Sequence, residues 1–132
     1  MWLWQKYTHI IQFILTMSLT AFVAVAAKEL TRVPRPPYPV YQEVGYSFAS
    51  AHSLIVTVFF LLIFFSYKEY IQSKLLKFVF LLATVCVIAS VSITRVYLGV
   101  HYLSDVIAGV IVGLCIASVS VILYERYKRI IG

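Results

Sequence analysis

The chain has 132 residues, of which 62% are hydrophobic and only 12% are charged. A soluble domain averages about 45–50% apolar and about 25% charged residues, so this composition excludes an ordinary soluble domain. The formal net charge of +6 does not indicate nucleic-acid binding, because the basic residues flank apolar runs, as topology control in a membrane requires. We therefore expect a single domain over residues 1–132 that is embedded in the lipid bilayer and binds no nucleic acid.

Four apolar segments predict the elements of the fold, each near the length of about 20 residues that spans a bilayer. They are Thr8–Ala27, Phe48–Tyr67, Leu75–Ile93 and Tyr102–Tyr124. These segments predict an all-α integral membrane bundle of four transmembrane helices. If the N-terminus is cytoplasmic, seven Lys and Arg residues lie inside and four lie outside, which favours both termini in the cytoplasm.

The connections between these segments differ in character. Four prolines in the first loop end the first helix and stiffen the residues that follow. On its own, this loop fits a polyproline linker or a partner-binding motif equally well. The second loop, over residues 68–77, is short and basic, as a cytoplasmic connection would be. The third loop contains Gly99 and must turn tightly.

Helices that alternate in direction bring six ionisable residues to one membrane face. These are Lys28, Arg35, His52, Arg95, His101 and Asp105. An ionisable group costs roughly 2.5–3.5 kcal/mol at mid-bilayer on insertion scales, so these groups must lie near the membrane surface or line a polar cavity. Topology places this face on the extracytoplasmic side of the cell membrane.

Three permanent cations at one point predict a site for a multiply charged anion. Arginine forks match phosphate oxygens, lysine adds a point charge, and the start of the second helix near Ser50 offers free backbone N–H groups. Ser50 adds a hydroxyl donor. Asp105 is the only acid expected in this cluster, so we expect a metal-independent phosphate site without a cofactor. Glu43 and Tyr46 lie in the first loop and are assigned no role.

The two histidines match the two roles that phosphate ester cleavage needs. His101 and Asp105 are four residues apart and therefore share a helical face. The carboxylate would hold one ring N–H of His101 and leave the other nitrogen free to attack phosphorus. His52, at a helix start, is placed to act as an acid and a base. Without other motifs, a helix-start polar pair with no chemistry would explain His101 and Asp105 as well.

Three motifs in the order of the chain resemble the signature of the type 2 phosphatidic acid phosphatase superfamily. They read Lys28-x6-Arg35-Pro36, then Ser50-Ala51-His52, then Arg95-x5-His101-x3-Asp105. The resemblance implies an integral membrane lipid phosphatase that acts through a phosphohistidine. It implies that the nucleophile, its partner and the acid/base are His101, Asp105 and His52. It also implies that the phosphate is bound by Lys28, Arg35, Ser50, the backbone at Ala51, and Arg95.

The chain departs from the family pattern at three points. The second motif usually reads Pro-Ser-Gly-His, but here Ala49 and Ala51 replace the proline and the glycine. Thr94 stands where serine is usual before the arginine. Members typically have six membrane helices and the resemblance covers the last four. Three interpretations stay open: a minimal member, a fragment, or a chain that needs a homo-oligomer or partner helices in place of the two N-terminal ones.

The resulting functional prediction is a metal-independent hydrolase of a membrane lipid mono- or diphosphate. By analogy with bacterial members, undecaprenyl diphosphate and phosphatidylglycerol phosphate are the expected substrates. Two alternatives stay open. A phosphotransferase would use the same intermediate and pass the phosphoryl group to an alcohol, and a non-catalytic subunit would only bind the lipid phosphate.

Overall fold

The structure, a computed structural model, describes residues 2–131, and the environment of the side chains for residues 7–130. Within these residues the chain forms four α-helices and no strand. They are α1 (Trp2–Thr31), α2 (Ala51–Tyr67), α3 (Lys74–Tyr97) and α4 (Leu103–Ile131). The predicted all-α bundle of four helices is thereby confirmed.

Three of the helices are long and apolar enough to cross a membrane, over Tyr7–Thr31, Lys74–Tyr97 and Leu103–Ile130. The remaining helix, α2, is a shorter apolar helix of 17 residues. It is about 25 Å long at a rise of 1.5 Å per residue, the short end of the spanning range. Because α2 packs against each of the other three helices, it carries much of the buried core, including Leu54, Val58 and Leu62.

The observed ends of α2 and α3 differ from the ends of the predicted apolar segments. Helix α2 begins at Ala51, later than the predicted Phe48, because the Ser50 side chain accepts a hydrogen bond from the Ser53 amide as an N-cap. Helix α3 continues past the apolar run as far as Tyr97. Arg95 therefore belongs to the last helical turn, where a cation is favoured by the helix dipole.

Helices α2 and α4 approach each other closely at two glycines of α4. A Cβ added at Gly109 would lie 2.7 Å from the Ser50 carbonyl oxygen, and one added at Gly113 would lie 2.8 Å from the Thr57 Cβ. Small residues spaced four apart allow membrane helices to pack backbone to backbone. This packing sets the start of α2 against the start of α4, where the Ser50 amide donates to the Asp105 carbonyl oxygen at 3.0 Å.

The proline-rich first loop is folded onto the bundle. The Val40 amide donates to the Leu98 carbonyl oxygen at 2.9 Å, and the Ser47 amide donates to that of Val33 at 2.8 Å. Gly99 has a φ of +66°, and a Cβ on it would lie 3.1 Å from the Tyr38 carbonyl oxygen. The predicted tight turn at Gly99 is confirmed, and its lack of a side chain lets the first loop pack against the third.

Substituting Gly113 by alanine is expected to destabilise the bundle by about 1–3 kcal/mol through overpacking. Helix propensity alone predicts that the substitution stabilises the bundle, because alanine favours a helix interior by about 1 kcal/mol relative to glycine. The added methyl group would meet the Thr57 side chain at 2.8 Å and the Leu54 carbonyl oxygen at 3.1 Å, so packing should decide the outcome. Thermal unfolding in detergent measures it, with Ser118→Ala on the exposed face of α4 as the control. An unfolding temperature at or above wild type for Gly113→Ala would contradict the close approach.

Candidate active site

One end of the bundle, called the site end below, is where α1 and α3 finish and α2 and α4 begin. Lys28 and Arg95 lie in the last turns of α1 and α3, and Asp105 lies in the first turn of α4. His52 is the second residue of α2, Arg35 comes from the first loop, and His101 precedes α4. The structure therefore brings together the six ionisable residues that the sequence places at one face.

His101 is linked to Asp105 through a third residue, Ser47. The Ser47 hydroxyl donates to Asp105 Oδ2 at 2.5 Å and lies 3.3 Å from His101 Nδ1. The direct distance from Asp105 Oδ2 to His101 Nδ1 is 3.6 Å, which is longer than a hydrogen bond. The prediction that Asp105 holds the His101 ring N–H by a direct hydrogen bond is therefore wrong. The carboxylate is instead held by Ser47 and by the Tyr102 amide, which donates to Oδ2 at 2.9 Å.

This arrangement defines which ring nitrogen of His101 is free. Because the Ser47 proton is directed to Asp105, the Ser47 oxygen accepts from an Nδ1–H group. The other nitrogen, Nε2, then carries the lone pair, and it lies 3.5 Å from Arg35 Nη1. Burial, followed by the charges of Arg35 and Arg95, lowers the pKa of His101 to about 4, although Asp105 and Glu43 oppose the change. The imidazole is therefore neutral at pH 7, and its unprotonated Nε2 faces a guanidinium N–H group.

Both site arginines are fixed by neighbouring oxygens. Arg35 donates from Nη1 to the Val100 carbonyl oxygen at 2.9 Å and from Nε to that of Gly45 at 3.0 Å. Arg95 is buried, and its Nη1 donates to the Tyr41 hydroxyl at 2.7 Å. The two guanidinium groups converge from the first loop and from α3, as an oxyanion site requires.

A second acid, Glu43, lies between these arginines. Its Oε2 forms an ion pair with Arg35 Nη1 at 2.8 Å, and its Oε1 accepts hydrogen bonds from Arg95 Nη2 and from the Tyr41 hydroxyl. Burial alone would raise the pKa of Glu43, but the hydrogen bonds from Arg95 and Tyr41 and the two arginine charges lower it to about 2. The expectation that Asp105 is the only acid in the cluster is therefore wrong.

The sequence contained little that would have identified Glu43 and Ser47. Ser47 stands shortly before the Ser50-Ala51-His52 motif, and Glu43 shortly after Arg35. Neither position follows a helical or strand period, because both lie in the first loop. Their contacts depend on how that loop folds back over the site end.

The remaining site residues lie around this centre. His52 is exposed at its rim, and both His52 and the half-buried Lys28 are within electrostatic range of Arg35, Arg95 and Glu43. Ser50 is fully buried, and its hydroxyl accepts from the Ser53 amide and hydroxyl at 3.4 and 3.2 Å. That hydroxyl therefore supports the start of α2, and its contact with phosphate stays a prediction. Ala51 opens α2, where backbone N–H groups have no partner within the helix.

Comparisons with known proteins identify the family of the chain. A family model described as the PAP2 superfamily matches residues 9–129. The chain is 33% identical over 105 residues to phosphatidylglycerophosphatase B of Bacillus subtilis (strain 168), a match that covers 77% of this chain and 51% of that protein. It thus spans about half the length of this curated relative.

A solved structure shares the fold. The crystal structure of a transmembrane PAP2-type phosphatidylglycerolphosphate phosphatase from Bacillus subtilis matches with a TM-score of 0.79 and 24% sequence identity, over 92% of this chain and 60% of that chain. The family match extends over almost the whole sequence and includes all three motifs. Together with the long apolar helices, these findings establish that the chain is an integral membrane protein and belongs to the PAP2 superfamily.

Proposed function

We propose that the chain hydrolyses the phosphate group of a membrane lipid phosphate at its site end. One observation supports this most: the unprotonated Nε2 of His101 accepts a hydrogen bond from Arg35 Nη1 at 3.5 Å, so a nucleophile and an oxyanion-binding group share one centre. Phosphatidylglycerol phosphate and undecaprenyl diphosphate are the proposed substrates, and the name of the Bacillus relative favours the former. The headgroup would enter the basic cluster while the tails stay in the bilayer.

In the proposed mechanism, His101 Nε2 attacks phosphorus and the lipid oxygen leaves with a proton from His52. The resulting phosphohistidine is attacked by water, which gives its proton to His52 as the bond between phosphorus and Nε2 breaks. Asp105, acting through Ser47, stabilises the positive charge that the imidazole acquires. The negative charge on the non-bridging phosphate oxygens is stabilised by Lys28, Arg35, Arg95, the Ser50 hydroxyl and the backbone at Ala51.

We further propose that the site end faces the extracytoplasmic side and that both termini are cytoplasmic. The support is the distribution of basic residues, because the opposite end of the bundle carries Lys68 after α2, and Lys74 and Lys77 in the first turn of α3. Cysteine introduced at exposed Tyr38 or exposed Tyr70 tests this, after the two native cysteines are replaced by alanine. In intact cells, an impermeant thiol reagent should label the first position and spare the second.

The test of the function is phosphate release from a panel of lipid mono- and diphosphates by the purified chain. We expect release to persist in EDTA, because the proposed chemistry uses only side chains. Lower release with an added lipid alcohol, together with a new phosphorylated lipid, would identify a phosphotransferase. Tight binding of labelled lipid without release from any substrate would identify a non-catalytic binding subunit and overturn the proposal.

Substituting Ser47 by alanine is expected to lower kcat while KM changes little. The lost link to a charged group is worth about 1.5–3 kcal/mol, equivalent to about a ten- to hundredfold reduction in rate. Lipid phosphate hydrolysis measures the effect. Ser92→Ala is the matched control, because its buried hydroxyl has no hydrogen-bond partner among the described residues. A wild-type kcat for Ser47→Ala would show that the proposed link to Asp105 has no part in turnover.

A further inference from the structure

The oxyanion site already holds a carboxylate of the protein itself. Glu43 contacts the guanidinium groups of Arg35 and Arg95, and its Oε2 lies 4.0 Å from His101 Nε2. These are the groups to which the proposed function assigns the substrate phosphate. Carboxylate and phosphate oxygens accept the same arginine N–H groups, so the two anions cannot occupy this position together.

Glu43 lies on a segment that is anchored at both ends. We call residues 41–46 the strap. Just before it, the Val40 amide donates to the Leu98 carbonyl oxygen at 2.9 Å, and just after it, the Ser47 amide donates to that of Val33 at 2.8 Å. Between these anchors the strap belongs to no helix. It can therefore change position without moving a membrane span.

The middle of the strap has room to move. Val44 is 99% exposed, and Gly45 has a φ of +85° with no atom within 4 Å of a Cβ built on it. On its inner side the strap is held by Glu43, by the Tyr41 hydroxyl and by Arg35, which donates to the Gly45 carbonyl oxygen at 3.0 Å. Most of these contacts involve the two arginines, so an anion that competes for the arginines also releases the strap.

We propose that Glu43 is an autoinhibitory carboxylate, which closes the anion site in the resting protein and must be displaced before a lipid phosphate reaches His101. This inference rests on the proposed function, because it takes Arg35 and Arg95 as the phosphate-binding groups. A phosphomonoester dianion or a diphosphate carries more charge than one carboxylate and can take its place. The apparent dissociation constant of the substrate then rises by the inverse of the open fraction.

Protonation of Glu43 does not release its carboxylate from the arginines near neutral pH. Glu43 faces Arg35, Arg95, Tyr41 and His101, with Lys28 and His52 further away. The arginine contacts outweigh burial and hold the pKa of Glu43 near 2, so the carboxylate stays ionised. The closed site is therefore opened by a competing anion and not by a change of pH in the physiological range.

The decisive variant is Glu43→Gln, which keeps the shape of the side chain and removes its charge. Binding of inorganic phosphate to the purified chain in detergent should tighten by about tenfold, since the ion pairs of Glu43 with Arg35 and Arg95 are replaced by weaker hydrogen bonds from the same arginines to a neutral amide oxygen. KM for the lipid phosphate should fall by a similar factor. Glu29→Gln is the control, because Glu29 is an exposed acid in α1 close to the site end of the bundle. It should leave phosphate affinity unchanged.

A second variant keeps the test decisive if Glu43→Gln does not fold. Tyr41→Phe removes the hydroxyl that donates to Glu43 and accepts from Arg95, and phosphate affinity should rise by about threefold. Equal or weaker phosphate binding in the folded variants, with lipid phosphate hydrolysis intact, would overturn the autoinhibitory role and leave the hydrolase standing. Tighter phosphate binding with no hydrolysis in any form of the protein would support the closure and refute the hydrolase.

Discussion

Replacing His101 by alanine is expected to abolish lipid phosphate hydrolysis, with kcat reduced by at least about a thousandfold, as for other nucleophiles of covalent catalysis. The substitution removes the only ring nitrogen that lies beside Arg35 and opposite Glu43 Oε2 within the described site. Phosphate release from the preferred lipid measures the loss. In wild type, an acid-quenched reaction should also contain phosphate bound to histidine, which the variant should lack.

The matched control for this prediction is His9→Ala. His9 stacks on Tyr124 with ring centroids 4.4 Å apart, far along α1 from the site end, and its loss should leave kcat within about twofold. The pH profile gives an independent readout. Neutral His101 is the reactive form and burial lowers its pKa to about 4. Activity should therefore be retained well below pH 6.5 and lost only as the pH falls through the lowered value. Turnover by His101→Ala would eliminate the phosphohistidine.

Replacing Arg35 by lysine, which keeps the charge, is expected to lower kcat/KM by about a hundredfold. Arg35 donates to two carbonyl oxygens, at Gly45 and Val100, while its Nη1 stays 3.5 Å from His101 Nε2. A lysine ammonium group cannot keep both contacts and also present a fork to phosphate. Losing one hydrogen bond of a charged group, at about 1.5–3 kcal/mol, accounts for an effect of up to about a hundredfold.

Arg32→Lys is the matched control for the arginine prediction. Arg32 is exposed, and its Nε donates to the Glu29 carbonyl oxygen at 3.2 Å, outside the cluster around His101. Steady-state kinetics on the same lipid should give a kcat/KM near wild type for this variant. If Arg35→Lys also stayed within about threefold of wild type, charge alone would explain phosphate binding, and the fork geometry would have no part in it.

Sequence patterns predicted the bundle and the residues that its ends carry. Apolar runs near spanning length predicted four helices, and α1, α3 and α4 continue beyond those runs because helix formation does not stop where hydrophobicity does. Helix reversal then predicted that Lys28, Arg95 and Asp105 would share one end. The capping role of Ser50 was not predicted. A serine before a helix fits both a phosphate contact and an N-cap, and only the Ser53 amide contact distinguishes the cap.

The amino-acid sequence by itself determined the four helices and the convergence of the catalytic candidates, because segment length and alternating direction follow from hydrophobicity along the chain. Tertiary structure alone decided that Ser47 stands between His101 and Asp105 and that Glu43 reaches Arg35 and Arg95. The physical reason is that these contacts join residues of an irregular loop to residues far along the chain. No period in the sequence encodes how such a loop folds back, whereas the packing of Gly99 against the first loop and the hydrogen bonds at Val40 and Ser47 define its path.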